Sequence, residues 1–231
     1  MARSTAVPAG APAAAPSPRV PLLYRTLHAP VRAALARFFE LTVDGLEHLP
    51  ASGPYILAAN HHNYLDGVVL AAVAPLPIAF LVMPRVYRAT PLHPLFHRHV
   101  GSIPITLERP DVGALRRTLA ALGAGQVVGI FPEGPFSVRG RLEAGLPGVG
   151  LLALRSGATV VPVAIRGTYE ALQGRRFYLP RRASLAVRFG APRRFTPEGV
   201  AAGHPSTFGL GRRARARVTE RIMDDIAALL S

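Results

Sequence analysis

The 231-residue chain contains no cysteine and no lysine. Without cysteine there can be no disulfide, no thiolate metal site and no cysteine nucleophile, a composition compatible with a reducing compartment. Without lysine, all 27 basic residues are arginine, against 13 acidic ones, giving a formal net charge of +14. Arginine in place of lysine, beside abundant Ala, Gly and Pro, is the habit of GC-rich coding, so part of this basicity is compositional. The remainder favours anionic partners, whether phosphates, a lipid surface or nucleic acid. Long apolar runs are also lacking. The most apolar stretch, residues 67–83, carries Pro75 and Pro77 and cannot form one unbroken lipid-crossing helix. The N-terminus has no compact hydrophobic stretch of the signal-peptide kind, so a protein that is not secreted is expected. The apolar fraction, 49%, suits a single globular domain with a real core.

Along the chain, residues 1–18 are rich in Ala and Pro and poor in large apolar side chains, the composition of a disordered tail. Order is expected from near Val20. Leu23, Leu27, Val31, Leu35 and Phe38 then recur at helical spacing, with Pro30 placed to kink the helix and Arg25, Arg32 and Arg37 between them. Residues 19–39 thus read as an amphipathic helical segment ahead of a domain over 40–231. Within that domain, strands are predicted at 41–43, 55–59, 78–82, 103–105, 127–131, 160–165 and 185–189. Helices are predicted at 66–74, 112–122, 151–155 and 213–230. Strands alternating with helices imply an α/β layered domain, its sheet largely parallel or mixed and flanked by helices. In such folds, functional groups gather at the carboxyl ends of strands. Two polar segments fall there: residues 60–66, after one strand, and Pro132-Glu133-Gly134, after another.

The chemistry centres on the first of these segments. His61 closes a predicted strand and Asp66 opens a predicted helix. A turn of that length can fold the carboxylate back onto the imidazole, fix its tautomer and stabilise the imidazolium, leaving the second ring nitrogen to take a proton from an alcohol. No serine or cysteine is needed if the substrate hydroxyl is the nucleophile. Taken alone, a His and an Asp at this spacing are more often a hydrogen-bonded turn and a helix cap. Metal binding by His61, His62 and Asp66 is a weaker reading, because adjacent histidines in an extended segment point to opposite faces.

Asn60-His61-x4-Asp66 resembles the first block of the glycerolipid acyltransferase family, whose best-known members are 1-acylglycerol-3-phosphate acyltransferases. Gly101-Ser102-Ile103-Pro104-Ile105 resembles the second block, Phe131-Pro132-Glu133-Gly134 the third and Val161-Pro162-Val163 the fourth. Val43-Asp44-Gly45-Leu46-Glu47-His48-Leu49-Pro50 is similar to the usual lead-in, and Phe189-Gly190-Ala191-Pro192 to a strand ending near the family's C-terminus. The resemblance runs from about residue 20 onward. It implies His61 as general base, Asp66 as its orienter, and Glu133 and Gly134 in an acceptor-binding wall, with Ser137 and Arg109 beside them as substrate-binding candidates. It further implies transfer of an acyl chain from acyl-CoA or acyl-carrier protein to a hydroxyl of a lyso-glycerolipid, as in phospholipid synthesis, with no metal or other cofactor.

Two positions depart from the family pattern. Leu107 stands where the second block usually closes with arginine, and Pro135-Phe136-Ser137 stand where the third usually continues Thr-Arg-Ser. Phenylalanine cannot make the bidentate, charge-assisted bonds that arginine makes to phosphate. Either Arg109, Arg139 or Arg141 takes that part, or the acceptor is a non-phosphate one such as a glycolipid or a lyso-aminolipid.

Other clusters carry less. His93, His97 and His99 include an i, i+4 pair, but Pro94 and the lack of a nearby acidic ligand argue against zinc. Arg175, Arg176, Arg181 and Arg182 form a basic loop suited equally to solvent and to an anion. Arg212, Arg213, Arg215 and Arg217 accompany no nucleic-acid module, so no nucleic acid is expected as a partner. The expected protein is a peripheral enzyme on the cytoplasmic side of the cell membrane, its segment 19–39 placed to meet anionic lipid or, alternatively, to pack on the domain's own core. A non-catalytic basic membrane-binding module is the rival from another class.

Overall fold

A computed structural model describes residues 22–87, 97, 101–106, 108, 110–137, 139–172, 180–196 and 211–231. The Ala/Pro-rich tail, Leu107, Arg109, Arg175, Arg176, His93 and His99 lie outside the described residues, as does the side chain of Leu23.

The described chain folds as α1 (Leu22–Phe38), β1 (Glu40–Asp44), a 3-10 turn (Leu46–His48), β2 (Tyr55–Ala59), α2 (Tyr64–Val73), β3 (Ile78–Val82), α3 (Pro84–Tyr87), β4 (Ile103–Pro104), α4 (Val112–Gly123), β5 (Val127–Ile130), α5 (Gly148–Ser156), β6 (Thr159–Arg166), α6 (Thr168–Leu172), β7 (Ser184–Phe189) and α7 (Arg212–Leu230). The strands make one seven-stranded sheet in the order β1-β7-β6-β2-β5-β3-β4. Every pairing is parallel except β6 with β7. The predicted α/β layered domain is therefore present, with a mostly parallel sheet and the amphipathic N-terminal helix before it.

β2 lies between β5 and β6, and all five of its residues are buried. Its side chains alternate between two cores, as period-two geometry requires. Tyr55, Leu57 and Ala59 join one cluster with Leu65, Val69 and Leu70 of α2. Ile56 and Ala58 join the other with Val149 and Leu152 of α5 and Val218 and Ile222 of α7. Helices thus cover both faces. The second face is closed tightly at Gly150, where a Cβ would fall 2.2 Å from the Arg215 carbonyl oxygen of α7. Only a residue without a side chain lets these two helix backbones meet.

α1 is anchored by polar contacts as well as packing. The Tyr24 hydroxyl donates to the carbonyls of Ala71 and Ala74, each at 3.2 Å, and His28 Nε2 lies 3.0 Å from the Ala74 carbonyl. These are among the last carbonyls of α2, which have no partner within their own helix. Leu35 packs on the first core, while Leu27, Val31 and Phe38 stay exposed.

Candidate active site

β2 and β5 run parallel, so their carboxyl ends deliver residues 60–66 and 131–137 side by side. Asn60 acts as an extra rung of the sheet. Its buried side chain accepts from the Ile165 N–H at 2.7 Å and donates to the Ile165 carbonyl at 2.8 Å, tying the end of β2 to β6. The chain then turns into α2, which begins at Tyr64 rather than at Asp66. Asn63 caps it, accepting from the Leu65 N–H at 2.9 Å and donating through Nδ2 to the Thr168 carbonyl at 2.7 Å.

Asp66, in the first turn of α2, reaches back across this loop. Its Oδ2 accepts from His61 Nδ1 at 2.8 Å, from the His62 N–H at 2.6 Å and from the Asn63 N–H at 2.8 Å. One fully buried oxygen therefore caps the helix and orients the imidazole at once. A carboxylate only accepts, so Nδ1 carries the ring proton and Nε2 is the nitrogen left basic. Phe131 stacks on the ring with centroids 3.7 Å apart and planes 8° from parallel, and Phe136 meets its edge at 4.5 Å. Tyr64 in turn meets Phe136 at 4.6 Å. His62 points elsewhere, with Nδ1 3.4 Å from the Thr168 hydroxyl, and burial lowers its pKa.

Glu133 sits behind His61. It is 4% exposed, and its two oxygens accept from the His61 N–H and the Glu143 N–H, both at 2.7 Å. It does not line the cavity that holds the His61 side chain; Gly134 does. Ser137 donates its N–H to the His61 carbonyl at 2.8 Å, and its hydroxyl is buried without a hydrogen-bond partner. Gly134, at φ +78°, makes the turn that returns this loop onto His61. Arg139 and Arg141 are exposed, and Arg139 Nε stands 4.0 Å from Glu143.

The cavity measures about 560 Å³ and runs between α1, α2 and the carboxyl ends of β3 and β5. Leu27, Val31, Ala71, Phe80, Val82 and Leu146 are among its walls. Of ionisable or hydroxyl groups, the described lining holds only His28, His61, His97, Ser102, Tyr24 and Tyr64. His97 Nδ1 lies 3.0 Å from the Ser102 hydroxyl. Among the described residues, no group of three or more His, Asp or Glu side chains is placed to hold a metal ion.

A protein-family model described as Acyltransferase matches residues 40–166, more than half of the chain. The chain belongs to this family. It is 30% identical over 134 residues to a chloroplastic 1-acyl-sn-glycerol-3-phosphate acyltransferase of Arabidopsis thaliana, covering 57% of this chain and 37% of that one. It is 25% identical over 125 residues to the 1-acyl-sn-glycerol-3-phosphate acyltransferase of Bacillus subtilis, covering 52% of this chain and 60% of that protein. The chain thus spans between about a third and three-fifths of the length of these relatives. The crystal structure of the 1-acyl-sn-glycerophosphate acyltransferase PlsC of Thermotoga maritima shares the fold, with a TM-score of 0.67 over 90% of this chain and 81% of that one, at 21% identity. The match to the acyltransferase family model takes in both polar segments, 60–66 and 131–137.

Burial pushes the Glu133 carboxyl up to about 7 from 4.5, against the two backbone bonds that favour its charged form, with Asp66 and Glu143 adding repulsion. The folded chain therefore holds this proton at pH values where the unfolded chain has lost it. That contribution to stability is complete below about pH 4.5 and disappears as pH rises through about 7. In Glu133→Gln it is absent at every pH. The thermal midpoint of wild type should fall relative to that of the always-neutral variant across this window, and a difference independent of pH would count against the shifted carboxyl.

Proposed function

We propose that the chain is an O-acyltransferase in which His61 is the general base and Asp66 the group that orients it. His61 Nε2 takes the proton of a lipid hydroxyl as the oxygen attacks the carbonyl of an acyl thioester. A C–O bond forms, the C–S bond breaks, and the departing thiolate of CoA or acyl-carrier protein receives the proton from the imidazolium. Asp66 stabilises that imidazolium without taking the proton itself. The observation that carries this reading is the 2.8 Å contact between His61 Nδ1 and Asp66 Oδ2 on the wall of an apolar cavity. A buried base pair opening onto about 560 Å³ of hydrocarbon-like space suits a reacting ester with a long chain.

The named relatives act, by their names, on 1-acyl-sn-glycerol-3-phosphate. For this chain the reading is a hydroxyl of a single-chain lipid, taken up at a membrane surface. No described helix is long and apolar enough to cross a membrane. α1 offers exposed Leu27, Val31 and Phe38 with Arg25, Arg32 and Arg37, a set suited to an anionic interface, and Leu27 and Val31 also line the cavity.

The test is turnover by the purified chain with acyl-CoA or acyl-carrier protein and a panel of single-chain lipid acceptors, followed as free thiol. Thiol release that depends on an acceptor is the expected result. Thiol release at the same rate with and without acceptor would mean hydrolysis, and no release with any pair would sink the reaction.

A further inference from the structure

Hydrogen bonds hold His61 at three points. Its N–H donates to Glu133, its carbonyl accepts from the Ser137 N–H, and its Nδ1 donates to Asp66. These bonds fix the backbone and one corner of the ring. They leave the tilt of the ring about that corner, because the torsion joining an imidazole to its Cβ is soft. The lone pair of Nε2 lies in the ring plane, so the tilt decides where the base points.

Stacked rings meet that tilt. Phe131 lies against the imidazole with centroids 3.7 Å apart and planes 8° from parallel, and Phe80 stacks on Phe131 at 5.9 Å and 6°. Strand register explains the second contact. Phe80 of β3 is the partner of Gly129 of β5, and Phe131 stands two residues beyond Gly129, on the same side of the sheet. A Cβ at Gly129 would fall 2.5 Å from Phe80 Cδ1. The Phe80 ring therefore occupies the space that a side chain at 129 would take, and it lies beside Phe131. Neither Phe80 nor Gly129 belongs to the four sequence blocks.

We infer that Phe131 is a positioning residue for acyl transfer, its flat face setting the plane of the His61 imidazole, and that Phe80, seated over Gly129, holds that face in place. The inference rests on the reaction proposed above and deepens it. Phe80 and Phe131 also line the cavity, so support of the base has to be separated from contact with substrate. Leucine separates them: it keeps the wall apolar and offers no flat face.

The experiment measures thiol release in detergent micelles, varying thioester and acceptor in turn. Phe131→Leu should lower kcat by about tenfold or more while both KM values stay within about threefold of wild type. Phe80→Leu should cost about threefold in kcat, and adding it to Phe131→Leu should cost nothing further, since Phe80 acts through Phe131. Raised KM with unchanged kcat would make the rings wall rather than support. Independent, multiplying losses in the double variant would detach Phe80 from Phe131. Either result overturns the inference while leaving acyl transfer intact. A wild-type proton spectrum decides the matter even if a variant does not fold. Ring protons of His61, assigned by their absence in His61→Ala, should resonate upfield of an exposed histidine because they lie over the Phe131 face, and unshifted signals overturn the inference. Failure of the reaction itself shows differently, as wild type that releases no thiol with any acceptor.

Discussion

His61→Ala should lower acyl transfer by about 10²–10⁴, the usual cost of losing a general base, while the protein still unfolds cooperatively at close to its original midpoint. His61 presents its side chain to the cavity, and removing it empties a space already open rather than one inside the sheet. The partner substitution separates geometry from charge. All three bonds to Asp66 converge on Oδ2, and Oδ1 is buried without a partner. An asparagine at 66 can place its carbonyl where Oδ2 was and its amide where Oδ1 was. The loop is then kept and the counter-charge to the imidazolium is lost. Asp66→Asn should accordingly fold and cap α2 but lose about 10²-fold or more in rate. Asp66→Ala abandons three donors in the interior and should be destabilised as well, by a few kcal/mol at ~1–3 kcal/mol for each buried group left unpaired. Rates from thiol release, beside thermal unfolding of the same preparations, check all three. Near wild-type turnover in His61→Ala would remove the base from the mechanism.

The second large effect concerns the membrane. Arg25, Arg32 and Arg37 are exposed on α1. Each arginine near an anionic surface contributes about 1 kcal/mol, so replacing all three by glutamine should weaken binding to vesicles by roughly a hundredfold. The loss should be largest at low ionic strength, because screening erodes the same attraction in wild type. Point substitutions serve better than deletion here. Phe39 and Leu35 belong to the first core, and α1 forms a wall of the cavity, so removing the segment would confound anchoring with folding. Sedimentation with vesicles rich in anionic lipid, against vesicles of neutral lipid alone, reads the effect. Binding of the triple variant equal to wild type on anionic vesicles would place the membrane contact elsewhere.

The strands were the most legible part of the fold, and the reason is burial. β2, β3, β5 and β6 are short runs rich in Val, Ile, Leu and Ala, as strands inside a mostly parallel sheet should be. β2 and β3 fall on the expected residues, 55–59 and 78–82. The antiparallel return of β7 onto β6 left no local trace, because direction is set by the crossover rather than by the strand's own residues. α3 and α6, four and five residues long, are too short to show a helical period, and neither was anticipated. At the site, the spacing of His61 and Asp66 was readable because both lie on one turn. The placement of Glu133 was not, since which backbone amide a carboxylate meets depends on how two strand ends lie side by side. The same holds for Asn60: an Asn after a strand says nothing of a partner 105 residues away. In the sequence Phe136 shows only as a departure from the family pattern, and its contacts with His61 and Tyr64 give it a place.

The pairing of β1 with β7 bears on how the molecule is made. Glu40 to Asp44 lie in register with Ser184 to Arg188, and β7 is the only strand beside β1 among the described residues. β2 likewise waits for β5 and β6, and half its core for α7. During vectorial synthesis the first strands leave the ribosome long before their neighbours exist. Such non-local closure is slow, and until it happens the fully apolar β2 is an unpaired edge. The sheet and both its cores can therefore close only after β6, β7 and α7 have each been made.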